Sequence, residues 1–91
     1  MPEVHVTIEW PDQQRDTIYS PSTVLLQYLK PGDSFSIRDF EERISKALQV
    51  ASQRVYERYG FECTSAMGEL ARLKAQIAAI DDKTSCIKVL S

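Results

Sequence analysis

The sequence predicts an α+β fold, a two-layer sandwich in which an antiparallel helical hairpin covers one face of a small sheet. Three observations lead there. An alternating apolar run opens the chain, and a short strand-like run closes it. Between these ends, residues 37–80 hold two long series of apolar residues at helical spacing. Gly60 and the few residues up to Ser65 separate the two series, so the second helix turns back along the first. A β-hairpin and a C-terminal strand should therefore form the sheet, in the order β-β-(short α)-α-α-β. Residues 1–91 make one domain, because a chain of 91 residues has no room for a second core.

Val4, Val6, Ile8 and Trp10 alternate with His5, Thr7 and Glu9, which puts the first four on one buried face of a strand. Pro11-Asp12-Gln13-Gln14 interrupts it, proline being preset for the second position of a tight turn. A glycine would be easier wherever that turn needs a positive φ. Arg15 to Tyr19 resumes the extended run and completes a hairpin. Ser20-Pro21 reads as a capping serine and a first-position proline opening a two-turn helix, with Val24, Leu25, Tyr28 and Leu29 at helical spacing. An irregular apolar segment is the alternative there, and Pro31-Gly32 ends it either way.

The first long helix carries start and stop signals that agree. Ser36 can cap, Asp39 can reach back to the cap amide, and Phe35 and Phe40 are placed for a hydrophobic staple. Asp39, Glu41 and Glu42 suit the positive end of the helix dipole, and Arg58 suits the other end. Phe40, Ile44, Ala47, Leu48, Ala51, Val55 and Tyr59 share one face. Gly60 is the left-handed stop, and Phe61 behind it can fold back on Tyr56. The second helix starts near Thr64 or Ser65, with Ala66, Leu70, Leu73, Ile77 and Ile80 as a narrow seam for helix packing. Ala71, Ala75, Ala78 and Ala79 should allow a close approach. Asp81 to Thr84 is a polar loop, and Cys86 to Leu90 a last strand lying beside the first, in the middle of the sheet or at its parallel edge.

Composition narrows the function classes. Eleven basic and thirteen acidic residues leave a net charge of −2, which disfavours a nucleic-acid module, since phosphate neutralisation dominates such affinities. No apolar run approaches the roughly 18 residues of a membrane span, and Met1-Pro2-Glu3-Val4 lacks a signal-peptide pattern, so a cytoplasmic location is expected. Cys63 and Cys86 are too few for a disulfide framework or an unaided zinc site, and both should be free thiols. No metal and no cofactor is expected. A domain this small buries modest surface, so a second copy of the chain is one candidate partner.

Cys63 is the most chemically suggestive residue. It precedes a helix N-terminus, where amides and dipole stabilise a thiolate, and Thr64 and Ser65 beside it supply hydroxyls. A nucleophile needs a base and an oxyanion site, however, and the single histidine, His5, should face the other side of the sheet. Free cysteines are more often buried packing groups. Arg38, Arg43, Lys46, Arg54 and Arg58 could form a basic stripe on the first long helix. Interleaved acids, with pairs such as Asp39–Arg43 and Glu42–Lys46, favour an ordinary solvated face instead. Trp10, Tyr19, Tyr28, Tyr56 and Tyr59 are expected mostly in the core, and Glu9, Asp12 and Asp16 as exposed acids around the hairpin turn.

The opening Met1-Pro2-Glu3-Val4-His5-Val6-Thr7-Ile8 with Trp10-Pro11-Asp12, then Tyr19-Ser20-Pro21-Ser22 and Pro31-Gly32, carry a resemblance. Ala51-Ser52-Gln53-Arg54-Val55 and Arg58-Tyr59-Gly60-Phe61-Glu62-Cys63-Thr64-Ser65-Ala66 extend it along the whole chain. The sequence resembles the small nitrogen starvation response proteins encoded in bacterial gene clusters beside a nitrilase, a radical-SAM protein, an acetyltransferase-like protein and a flavoprotein. The resemblance implies a cytoplasmic protein connected with nitrogen limitation and with nitrile or cyanide nitrogen assimilation, and it transfers no catalytic residues. Gln13 stands where that family often has glycine, which leaves the turn type open.

The expectation is a non-enzymatic accessory protein that contacts proteins of the nitrilase cluster. The contact would use the sheet face around His5, Thr7 and Glu9, or the segment Phe61 to Ser65. The rival is a small enzyme or ligand sensor centred on Cys63, with Arg58, Tyr59, Thr64 and Ser65 around it. Nucleic-acid binding through the first long helix ranks last.

Overall fold

A computed structural model describes residues 3–60 and 64–91. The elements run β1 (Val4–Glu9), β2 (Arg15–Ser20), α1 (Leu25–Tyr28), β3 (Ser34–Ser36), α2 (Ile37–Tyr59), α3 (Thr64–Ala78) and β4 (Cys86–Val89). The strands form one antiparallel sheet in the order β2-β1-β4-β3, and α2 and α3 pack together as the second layer. This is the α+β sandwich that the alternation and the helical periodicity predict. Among the described residues, no helix is long and apolar enough to cross a membrane.

β1 and β2 pair from Val4 opposite Ser20 to Glu9 opposite Arg15, with Val6, Ile8 and Ile18 fully buried. Their turn closes through Gln13 N–H to the Trp10 carbonyl and Trp10 N–H to the Gln14 carbonyl, both 2.8 Å. Pro11 takes the second position of the tight turn, and Gln13 follows it in the left-handed region at φ 71°. The open question of turn type is thereby answered: a three-residue loop whose third residue is where glycine would be easier.

β4 lies in the middle of the sheet, antiparallel to β1 and to β3, so the parallel-edge alternative is wrong. β3 is an additional strand. Phe35 and Ser36, expected only as the entrance to a helix, pair with Ile87 and Cys86. Ser36 serves twice, because its Oγ also accepts the Asp39 amide at 3.2 Å as the cap of α2. α1 is one turn rather than two, and Pro21 does not open it. Ser20 Oγ donates to the Ser22 carbonyl at 2.8 Å and Ser22 Oγ accepts the Val24 amide at 3.3 Å, so the two buried serines hold a bend before the helix.

α2 buries Ile37, Phe40, Ile44, Ala47, Leu48, Ala51 and Val55 and ends at Gly60, whose φ is 78° and whose N–H donates to the Tyr56 carbonyl at 2.7 Å. Tyr59, expected on that face, is exposed. The contact stripe stops at Val55, and the next apolar position precesses to its rim on a 3.6-residue helix. α3 buries Ala66, Leu70, Leu73 and Ile77, while Ala71, Ala75, Ala78 and Ala79 face solvent. These alanines lie on another side of the helix from the seam and play no part in close helix approach. Lys83 folds its ammonium onto the Ile77 and Ile80 carbonyls and so caps the C-terminal end of α3. The suggested contact of Phe61 with Tyr56 lies outside the described residues.

Candidate functional site

Glu69, Arg72 and Gln76 recur at three- and four-residue spacing, so they stack along one side of α3. That side meets β2, an outer strand, whose alternate backbone groups have no strand partner. Glu69 Oε2 accepts the Tyr19 amide at 2.8 Å, and Arg72 donates to the Thr17 carbonyl at 3.3 Å. Arg72 also donates to Glu69 Oε1 at 2.7 Å and to Asp16 Oδ2 at 2.9 Å. The same Oδ2 receives Trp10 Nε1 at 3.1 Å and Gln76 Nε2 at 3.4 Å. Asp16, expected as an exposed turn acid, is the half-buried hub of this network.

Burial alone would raise the Asp16 carboxyl, but the Arg72 and Trp10 hydrogen bonds, the Arg72 charge and a backbone bond at Thr17 outweigh it and hold it below the usual carboxylate range. Burial and the neighbouring Asp16 charge push Glu69 up. Arg72 and the Tyr19 amide prevail and hold it low as well. Hydrogen bonds to Glu69 and Asp16 raise Arg72 in turn. Each group is pinned in its charged form. The network is a clamp between helix and sheet edge, and neither carboxyl has the raised pKa of a general acid.

Two clefts flank α3. One, about 330 Å³, lies between the hairpin turn and the helix C-terminus and is lined by Trp10, Pro11, Asp12, Gln14, Gln76, Ala79 and Ile80. Trp10 is anchored in it by Asp16 and by an edge-on contact with Phe40, the ring centroids 5.9 Å apart. The other, about 270 Å³, lies on the α2–α3 side and is lined by Gln49, Ser52, Gln53, Tyr56 and Met67. Tyr56 is 50% exposed and Met67 41%, although tyrosines were expected mostly in the core.

Of the site residues suggested by sequence, Arg58 and Tyr59 are neighbours, the guanidinium carbon 5.9 Å from the ring centroid, and both are exposed. Ser65 is exposed on the first turn of α3. Cys63, like the side chain of Thr64, lies outside the described residues. Cys86 is a free, exposed thiol. His5 faces away from the helices, its ring 5.7 Å from that of Tyr19, as the alternation predicts.

The anticipated Asp39–Arg43 and Glu42–Lys46 pairs are not formed; among the described residues the ion pairs are those of Arg72. Arg43 instead lies over the Phe35 ring, 4.4 Å from its centroid, a better contact than an exposed helix pair offers. Arg38 and Lys83 line a shallow cleft at the α2 N-terminus, but the first three amides there already donate to the Ser85 carbonyl, the Lys83 carbonyl and Ser36 Oγ. That arrangement leaves little for an anion. Among the described residues, no group of three or more His, Cys, Asp or Glu could hold a metal ion. The sequence signal for the clamp was the Glu-x-x-Arg-x-x-x-Gln spacing on the polar side of an alanine-rich helix.

Residues 5–91 match the family model of the nitrogen starvation-induced protein NitG. No curated protein and no solved structure matches the chain.

Proposed function

The chain belongs to the family of the nitrogen starvation-induced protein NitG, and on that premise we propose that it is a non-enzymatic, cytoplasmic accessory protein that works by contacting another protein of the response. The observation that carries this reading is the Tyr56–Met67 cleft. A tyrosine and a methionine are left half in solvent above a groove lined otherwise by Gln49, Ser52 and Gln53. Rigid aromatic rings and adaptable thioethers are the side chains that interfaces concentrate, and neutral amides and hydroxyls form a polar rim that a partner can hydrogen-bond without the larger cost of desolvating charges. The nitrilase-cluster proteins that the resemblance suggests are the partners to try first.

Co-purification from cells starved of nitrogen tests the reading. Tagged protein should retain a specific cluster protein, and Tyr56→Ala with Met67→Ala should reduce the retained amount about tenfold or more, as loss of a hot spot does. A protein that retains none of them, or retains one equally well with both substitutions, rules this contact out. Sedimentation of the purified chain separates a second copy as partner. The rival reading centred on Cys63 predicts a depressed thiol pKa in the pH dependence of alkylation, and an ordinary profile removes it.

A further inference from the structure

The second cleft lies at the other end of α3 and is chemically different. Trp10, Pro11, Ala79 and Ile80 give it apolar walls, and Asp12, Gln14 and Gln76 give it polar groups rich in acceptor oxygens. Asp12 is the one ionised residue in this lining, and Arg72, one turn before Gln76 on α3, is already bonded to both Asp16 and Glu69. Gln76 is oriented by the clamp: its amide nitrogen donates to Asp16, which leaves Oε1 as an acceptor. Asp12 uses Oδ1 to receive the Gln14 amide at 3.1 Å and so is held in place within the turn. The volume, about 330 Å³, is at the small end for ligand sites.

Charge decides between ligand classes. An anion would meet the Asp12 carboxylate in a lining that, among the described residues, includes no cation, and an apolar ligand would strand the carboxylate and two amides. A cation with an apolar stem satisfies both halves of the cleft. Three acceptor side chains spread around one space suit a planar fork of five N–H donors better than the compact ammonium. We propose that the Trp10–Asp12–Gln76 cleft binds a monosubstituted guanidinium group on an aliphatic stem, the head of an arginine side chain or of a free guanidino compound. Asp12 supplies the counter-charge, Gln14 and Gln76 the neutral acceptors, and Trp10, Pro11 and Ile80 the walls along the stem. This site is separate from the Tyr56–Met67 contact and does not depend on it.

Trp10 is the sole tryptophan, so its emission and its indole N–H resonance report on this cleft directly. Blocked arginine (N-acetyl-arginine methylamide) titrated into the full chain should shift both signals saturably, more weakly at high salt. The isosteric, uncharged blocked citrulline should not, and blocked lysine should bind at least several-fold more weakly. Asp12→Asn keeps the oxygen that receives the Gln14 amide and removes the charge, so the turn survives while affinity falls about tenfold or more. Ala79→Leu, filling the cleft from an exposed position, should abolish the shift with the fold intact. Butylguanidinium assigns the source: equal or tighter binding than blocked arginine marks a free guanidino compound, weaker binding a peptide-borne side chain. No saturable shift with blocked arginine, equal binding of citrulline or lysine, or full affinity in Asp12→Asn overturns the proposal. Retention of a protein through Tyr56 and Met67 stands or falls separately.

Discussion

Replacing Arg72 with methionine keeps an unbranched apolar stem but deletes the guanidinium and its charge. Three contacts go: the bonds to Glu69, Asp16 and the Thr17 carbonyl. Charged hydrogen bonds contribute about 1.5–3 kcal/mol each when well shielded. Arg72 is 38% exposed, while its partners are only 18% and 13% exposed, so solvent screening lowers the sum and the two stranded carboxylates raise the cost. The expected loss is about 2–3 kcal/mol. In urea this lowers the unfolding midpoint by roughly 2–3 M with little change in slope, taking a slope near 1 kcal/mol per molar. Acid titration gives a second signature. Asp16 and Glu69 are held below their ordinary values of 3.8 and 4.5, so near pH 4 the folded chain binds fewer protons than the unfolded chain. The clamp's contribution is complete above about pH 5, using those ordinary values, and is lost as pH falls through the lowered folded values. Arg72→Met should therefore lose most at neutral pH and converge on wild type in acid. A midpoint within about 0.3 M of wild type, or an equal loss at pH 3 and pH 7, refutes the clamp.

Gln13→Gly relieves a left-handed residue and should stabilise by about 0.5–1 kcal/mol, visible as a higher melting temperature. Gly60→Ala should do the reverse by about 1 kcal/mol, because the Cβ has open space around it and only the backbone conformation penalises it. Glu69→Ala frees the Tyr19 amide, so hydrogen exchange there should quicken while amides bonded within β1 and β2 change less. Lys83→Met removes the cap on the Ile77 and Ile80 carbonyls and should fray the end of α3, seen as faster exchange at Ile80, whose amide bonds Ile77.

The elements legible in advance were those whose information is local. Alternation from Val4 to Trp10, the Ser36 cap and the Gly60 stop each contain their own cause within a few residues. β3 was illegible because its reason is remote: Phe35 is a strand residue only once Ile87 stands opposite it. The same holds for Asp16, which looks like a turn acid until Arg72, fifty-six positions away, arrives beside it. Periodicity located the seam of α3 correctly at Leu70, Leu73 and Ile77, yet small residues at helical spacing carry no direction, and Ala71 and Ala75 proved to face solvent. Of the aromatics expected in the core, Trp10 is buried and Tyr56 is half exposed. Which became an anchored wall and which stayed in solvent depended on neighbours that spacing does not encode.

The helix side chains that fill the β2 edge also bear on how many molecules can join. Open-ended growth of sheets requires each unit to present two reactive termini. Here Tyr19 N–H and the Thr17 carbonyl are occupied from within, while the opposite edge is the three-residue β3. Two copies pairing through β3 would each turn a dead terminus outward. A strand adding to β2 would first have to displace Glu69 and Arg72 from the Tyr19 amide and the Thr17 carbonyl, so loosening either side chain would open that edge.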